Sequence, residues 1–179
     1  MSAEPDRKII TSYKKLKIKL KAHKTLGHTI VCTIGSWDML HIGHLRYLHA
    51  AKNFGDILVI GVDSDRAIKS YKGDLRPIIP ENERMEMLTY QDCIDYITII
   101  DDVDEKGNWQ YNLIKTIPVD IFVSVQNDSY PEDQLNTIKQ HCGKLQEIPR
   151  QAKQTSSTDI IQNILKTHLL EEVEQWKKK

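Results

Sequence analysis

The chain has 179 residues, 40% of them hydrophobic, and no formal net charge at pH 7. This length suits one domain with one sizeable core, and no apolar run is long enough to span a bilayer. The N-terminus lacks the apolar segment and cleavage site of a secretory signal, and three cysteines, an odd number without evident pairing, indicate a reducing compartment. We therefore expect a cytoplasmic protein that has neither a membrane nor nucleic acid as a partner.

Basic residues are concentrated at the N-terminus, where residues 1–28 hold eight lysines and arginines against two acids. Between residues 9 and 21, apolar side chains are interleaved with lysines at positions that fit neither the helical nor the strand period cleanly. Such a segment could form a basic helix that approaches an anionic membrane or nucleic acid. We expect the more ordinary outcome, a helix packed on its own domain or on a second subunit, and treat residues 1–28 as a basic N-terminal extension.

Short runs rich in β-branched residues alternate with helical stretches through the rest of the chain. This alternation predicts an α/β fold with a Rossmann-like open parallel sheet and helices on both faces. In such a sheet, ligands bind beyond the carboxyl ends of the strands, where the strand order reverses. We expect one domain over residues 29–168 and a C-terminal helix tail over 169–179. The expected strands are 29–34, 57–62, 96–100, 119–123 and 144–148, and the expected helices are 42–53, 65–70, 80–91, 109–115, 131–141 and from 157 onward.

The turn over residues 33–44 joins the first strand to the following helix and suits phosphate binding. Gly35 permits a close backbone approach, and the first helical turn offers unpaired N–H groups with positive partial charge. His41 and His44, three residues apart, place two imidazoles on the same face. These groups fit a phosphorus centre that becomes five-coordinate. The alternatives are a zinc site, which would need ligands beyond the scattered cysteines, and a histidine pair without chemistry.

Two further basic segments follow the second predicted strand. The loop over residues 67–77 contains two lysines and an arginine, which suggests triphosphate binding, with a solvated charge run as the alternative. The next helix begins at Pro80 with acids in its first turn. Arg84, one turn into this helix, either projects back toward the phosphates or pairs with a neighbouring glutamate at the surface.

A run of hydroxyl side chains, residues 155–158, precedes the last predicted helix. Ser and Thr are preferred N-cap residues, so capping alone accounts for part of this run. Four in succession exceed what one cap uses. A helix N-terminus with spare hydroxyls is a second candidate anion site.

Together these segments resemble the nucleotidyltransferase superfamily with the HxGH motif, and in particular its cytidylyltransferase-like family. Residues 35–44 are similar to the pattern G-[ST]-F-D-x-x-H-x-G-H, with Trp37 in place of the phenylalanine. Residues 61–77 are similar to V-x-S-D…K-G…R-P, residues 81–84 to the family's E-x-R element, and residues 155–161 to its S-[ST]-[ST]-x-I-I motif. Class I aminoacyl-tRNA synthetases share the histidine tetrad but carry a K-M-S-K-S segment, which this chain lacks.

The resemblance implies in-line transfer of a nucleoside monophosphate from an NTP to a small phosphate ester, with release of pyrophosphate. By resemblance, His41 and His44 act at the α-phosphate, and Lys72, with Lys69 as second choice, acts with Arg84 at the acceptor and triphosphate. Magnesium carried by the nucleotide is expected, without a dedicated protein metal site. The expected nucleotide-binding residues are Thr33, Ile34, Gly35, Ser36, Asp38, Gly43, Asn127, Asp128, Arg150, Ser156, Ser157 and Thr158.

The segment after the fourth strand differs from both family patterns that carry acceptor identity. Sugar-phosphate adenylyltransferases have K-G-G-D-Y and glycerol-phosphate cytidylyltransferases have M-G-D-D-W, whereas residues 124–130 read S-V-Q-N-D-S-Y. Residues 81–84 and Arg150 resemble the cytidylyltransferases, so we expect CTP ahead of ATP. The alternatives are an ATP-dependent adenylyltransferase of a sugar phosphate or flavin nucleotide, and a nucleotide-binding protein without turnover. Because relatives are commonly dimers, we expect a homodimer.

Overall fold

The computed structural model of the chain describes residues 7–126, 130–169, 173 and 176. Within these residues, five parallel strands form one sheet in the order β3-β2-β1-β4-β5, so the strand order reverses between β1 and β4. This architecture confirms the predicted Rossmann-like α/β sheet. The strands are β1 Ile30–Gly35, β2 Ile57–Asp63, β3 Tyr96–Ile100, β4 Ile121–Val125 and β5 Lys144–Ile148.

The helices follow the predicted order, with one clear difference in position. The helix expected at 109–115 begins only at Asn112, because Trp109 pairs with Val103 in an isolated β-bridge and Tyr111 has left-handed backbone with φ 58°. No helix in the described part of the chain is long and apolar enough to cross a bilayer. The helices are α1 Tyr13–Thr25, α2 Ile42–Lys52, α3 Asp65–Lys72, α4 Glu81–Thr89, α5 Asn112–Thr116, α6 Glu132–Lys139 and α7 Ser157–Ile164, which continues as a π-helical segment Leu165–Leu169.

Hydrophobic residues cover both faces of the sheet. On one face, Val31 and Leu58 pack with Leu48 of α2 and Leu88 of α4. On the other face, β1, β2 and β4 pack with apolar residues of α1, α5 and α6. β2 is buried at all seven positions, as a central parallel strand requires.

The N-terminal helix α1 belongs to this second core. Leu16 and Leu20 are fully buried, and they pack in the same cluster as Ile30 of β1. Lys24 forms an ion pair with Asp120 at 2.7 Å, and the Asp120 carboxylate also accepts a hydrogen bond from the Ile30 amide. The helix therefore packs on its own domain.

Candidate active site

A cavity of about 670 Å³ lies at the carboxyl ends of the strands. The ends of β1, β2, β3 and β4 contribute to its wall, together with the N-termini of α2 and α7. This is the place where an open parallel sheet binds its ligands, and the volume is that of a small-molecule site. Eleven of the residues predicted from the sequence line it: Ile34, Gly35, Ser36, His41, Gly43, His44, Lys72, Arg150, Ser156, Ser157 and Thr158.

The two histidines at the start of α2 lie against each other. His41 caps the helix, and its Nδ1 accepts a hydrogen bond from the Gly43 amide at 3.1 Å. In the neutral ring the proton is therefore on Nε2, which can donate to a ligand. The His41 and His44 rings are stacked with centroids 4.0 Å apart. A Cβ on Gly43 would lie 2.9 Å from both the Ala152 Cβ and the His41 Cε1, so only glycine fits between them.

The electrostatic surroundings keep His44 neutral at physiological pH. Burial, then the charges of His41 and Lys72, lower the pKa of His44 to about 4. Burial, followed by the charge of Arg150, also lowers the pKa of His41. The His44 Nδ1 is buried and has no hydrogen-bond partner in the described part of the chain. His44 is thus an uncharged polar group that a bound ligand can satisfy.

Lys72 reaches the phosphate-binding turn from the C-terminal end of α3. Ser64 caps this helix by accepting from the Ala67 amide at 3.0 Å, which fixes where the helix starts. Lys72 Nζ donates to the Ser36 Oγ at 2.9 Å. Burial and the nearby Arg76 charge lower the pKa of Lys72, because both disfavour the charged ammonium form. An anion at the turn would compensate both effects.

Two of the hydroxyl groups at the start of α7 make hydrogen bonds within the protein, and a third is left for a ligand. Ser156 is the N-cap: its Oγ accepts from the Asp159 amide at 3.1 Å and donates to the Asp159 carboxylate at 2.6 Å. Ser157 Oγ donates to the Asp38 carbonyl at 2.6 Å and so ties α7 to the turn after β1. The Thr158 hydroxyl is exposed and makes no hydrogen bond within the described residues. Capping explains Ser156, and Thr158 remains available to a ligand.

The structure does not place Arg84 in the lining of the cavity, and this geometry gives no support to the expected phosphate contact. Its side chain is fully buried. It donates to the carbonyls of Ile79 at 2.9 Å, Asp63 at 2.7 Å and Ser36, and it pairs with the Asp65 carboxylate at 2.7 Å. Arg84 is a positioning residue that joins the turn after β1 to the end of β2.

Asp38 and Thr33 do not line the cavity either, and their side chains make hydrogen bonds within the protein. Asp38 is fully buried, and its carboxylate accepts from the Ile78 and Ile79 amides and pairs with Arg76 at 2.7 Å. Burial alone would raise the pKa of Asp38, but these two amides and Arg76 hold it below its usual value. Thr33 hydrogen bonds with the buried Tyr47 hydroxyl at 2.8 Å. Asn127 and Asp128 lie outside the described residues.

The cavity also contains residues that the sequence pattern did not single out. Asp63 closes β2, so the rule that ligands bind at carboxyl ends of strands could have identified it. The aromatic and amide residues of the wall come from helices and connecting segments whose position only the folded chain defines. They are Tyr71, Trp109, Tyr111, Tyr130 and Gln134.

Comparisons with known proteins agree with this geometry. A family model described as cytidylyltransferase-like matches residues 32–163. The Bifunctional protein HldE of Geobacter metallireducens is 36% identical over 151 residues, which is 83% of this chain and 29% of that protein. The HldE protein of Campylobacter fetus subsp. fetus is 40% identical over 118 residues, 66% of this chain and 24% of that protein. The chain thus spans less than a third of the length of these relatives.

A solved structure has the same architecture. The lipopolysaccharide core biosynthesis protein from Thermoplasma volcanium GSS1 superimposes with a TM-score of 0.57 and 26% sequence identity, covering 69% of this chain and 98% of that one. The family model covers well over half of the chain. The chain therefore belongs to the cytidylyltransferase-like family, and the nucleotidyltransferase class predicted from the sequence is confirmed.

Proposed function

We propose that this chain transfers a nucleoside monophosphate from an NTP to the phosphate of a small sugar phosphate. The observation that carries the proposal is the convergence, in one cavity, of the His41/His44 pair, Lys72 and the N-terminus of α7. An oxygen of the acceptor phosphate forms a bond to the α-phosphorus while the bond to pyrophosphate breaks, so no covalent enzyme intermediate is needed. Alignment of the two substrates and neutralisation of charge then supply the catalysis.

The α-phosphate end of the cavity is assigned to the histidine pair. The His41 Nε2–H and the unpaired amides at the start of α2 are hydrogen-bond donors for a phosphate oxygen. His44, with a pKa of about 4, acts at neutral pH as an uncharged imidazole. The positive charge near this end comes from Lys72 and Arg150. We assign the distal phosphates to the N-terminus of α7 and the Thr158 hydroxyl.

Magnesium enters this account as part of the substrate. In the described part of the chain, no three His, Cys, Asp or Glu side chains are placed to hold a metal ion. Asp38, the carboxylate of the turn after β1, has its oxygens occupied by two amides and Arg76. An Mg²⁺ ion bound through NTP phosphate oxygens needs few protein ligands, which fits a site of this kind.

For the nucleotide, we propose ATP, with CTP as the second candidate. The sequence expectation of CTP rested on residues 81–84 and on Arg150, and the first of these supports is weakened because Arg84 is fully buried and does not line the cavity. A structural relative is named for lipopolysaccharide core biosynthesis, which points to a saccharide acceptor. The family resemblance couples sugar phosphates with adenylyl transfer. Arg150, which lines the cavity, keeps CTP as the second candidate.

A homodimer and a cytoplasmic location stay predictions.

The test is magnesium-dependent pyrophosphate release, measured for ATP, CTP, GTP and UTP against a panel of phosphate esters. The panel holds hexose 1-phosphates, glycerol 3-phosphate and ethanolamine phosphate. We expect release with ATP and a sugar phosphate, and loss of release in His44→Ala but not in the control His49→Ala, an exposed residue of the same helix. Nucleotide binding without release for any pair would overturn the proposal and favour a non-catalytic nucleotide-binding protein.

A further inference from the structure

Asp63, at the end of β2, is a buried carboxylate that neither the fold nor the phosphate site accounts for. Its side chain is 3% exposed and lines the cavity. One oxygen, Oδ2, accepts a hydrogen bond from the Tyr71 hydroxyl at 2.6 Å. The other, Oδ1, is buried and has no hydrogen-bond partner among the residues that the structure describes. A buried carboxylate oxygen without a donor is costly, so a ligand that brings one gains affinity.

The surroundings of Asp63 differ from those of the phosphate-binding turn. The Tyr71 and Trp109 rings lie 6.1 Å apart between centroids, and both line the cavity. Tyr130 and Gln134 line it as well. This mixture of aromatic faces, an amide and a carboxylate suits a carbon skeleton that carries hydroxyl groups.

The charges around Asp63 favour a neutral donor over a cationic one. Burial raises the pKa of Asp63 to about 6, against the opposing effects of the Tyr71 hydrogen bond and the charges of Lys72 and Arg84. Lys72 and Arg84 already offset part of the carboxylate charge, whereas an ammonium group would pay the desolvation cost of a further buried cation. A hydroxyl group supplies the missing donor without adding charge.

We propose that Asp63 determines acceptor specificity by accepting, through Oδ1, a hydrogen bond from a hydroxyl group of a polyol or sugar phosphate. The inference rests on the proposed function and names the feature by which this site distinguishes hydroxylated phosphate esters from amino-alcohol phosphates. Asp63 contacts the non-reacting part of the acceptor, so its contribution is to acceptor binding.

The experiment measures binding by isothermal titration calorimetry in the absence of nucleotide. The probes are glycerol 3-phosphate, glucose 1-phosphate, ethanolamine phosphate and propyl phosphate, which share the phosphate and differ in the groups they offer to Asp63. The proteins are the wild type, Asp63→Asn and the control Asp102→Asn. Asp102 also lines the cavity, but its two oxygens accept hydrogen bonds from Asn112, so it has no oxygen in need of a donor.

In the wild type we expect at least one hydroxylated probe to bind roughly tenfold or more tightly than propyl phosphate and ethanolamine phosphate. Asp63→Asn keeps an oxygen for Tyr71 but replaces the other with a donor, and should remove most of this preference. Asp102→Asn should keep it. The inference would be overturned if all probes bound equally or none bound, or if the amine or propyl ester bound most tightly. It would also be overturned if Asp63→Asn kept the preference of the wild type.

If Asp63→Asn does not fold, the wild-type comparison can still overturn the inference, because equal affinities would leave no preference for Asp63 to explain. Because nucleotide is absent, the binding order does not depend on turnover. If the expected affinities are found but no pyrophosphate is released, the proposed function is overturned and Asp63 keeps its role in binding hydroxylated phosphate esters. If pyrophosphate is released but the affinity order of the four probes is the same in the wild type and Asp63→Asn, only the role of Asp63 is overturned.

Discussion

Replacing Arg84 by lysine tests whether this buried side chain stabilises the turn after β1 or binds phosphate. The guanidinium donates to the carbonyls of Ile79, Ser36 and Asp63 and pairs with the Asp65 carboxylate. Arg84→Lys keeps the positive charge but replaces a planar fork with a single ammonium group. A lysine that keeps one or two of these four contacts leaves two or more acceptor oxygens without a donor.

The expected loss follows from the number of unsatisfied acceptors. A buried acceptor without a partner costs about 1–3 kcal/mol, so two of them lower the free energy of unfolding by roughly 3 kcal/mol. For a chain of this size, each 1 kcal/mol lowers Tm by about 2–4 °C. Arg84→Lys should therefore melt about 6–12 °C below the wild type. The loss is a large fraction of the stability of a typical domain.

The assay is thermal unfolding followed by circular dichroism, with Arg66→Lys as the matched control. Arg66 is 55% exposed and pairs with Asp101 at 2.9 Å, and an exposed pair of this kind contributes about 1 kcal/mol or less. The control should melt close to the wild type. An unchanged Tm for Arg84→Lys, together with a raised KM for the NTP, would refute the positioning role and restore Arg84 as a phosphate ligand.

Three further predictions concern the histidine turn. His44→Ala should lower kcat at least about a hundredfold with little loss of NTP affinity, because the imidazole acts mainly in the transition state. His49→Ala is the control, and unchanged turnover in His44→Ala would contradict the mechanism. Gly43→Ala should lower activity more than about tenfold because the added Cβ lies 2.9 Å from both Ala152 and His41; wild-type activity in a steady-state assay would show that the neighbours move aside. The contribution of His44 should lower stability as pH falls from about 6.5 to about 4, since the unfolded chain protonates His44 before the folded one does; the raised pKa of Asp63 acts in the opposite direction, in the wild type and in a His44 variant alike. Urea titrations at a series of pH values should show a shallower loss for His44→Gln, and equal slopes would contradict the lowered pKa.

The sheet could be predicted from the sequence because its signal is local. The β-branched runs mark each strand, and the turn over residues 33–44 combines glycine, histidine and a helix start within a few positions. The helix expected at 109–115 was misplaced because the β-bridge between Val103 and Trp109 and the left-handed Tyr111 depend on tertiary contacts. Such contacts override local propensity.

The candidate site was predictable only in part, for a physical reason that Arg84 and Asp63 illustrate. A motif shows that an arginine follows a helix start, but not whether its side chain turns toward solvent, phosphate or the interior. Arg84 turns to the interior, where four acceptors converge. Asp63 ends a strand at a position that the motif leaves unspecified, and its unpaired oxygen becomes evident only when Tyr71 and the cavity wall are in place.

The central claim is direct transfer between two substrates bound in one cavity, and ³¹P NMR of a single reaction tests it most directly. Wild-type protein is incubated with Mg²⁺, ATP and the sugar phosphate that gives the fastest pyrophosphate release. The account predicts a nucleotide-sugar diphosphate and pyrophosphate in equal amounts, with His44→Ala producing neither. Formation of AMP without the diphosphate product, or pyrophosphate release that does not depend on the acceptor, would contradict it.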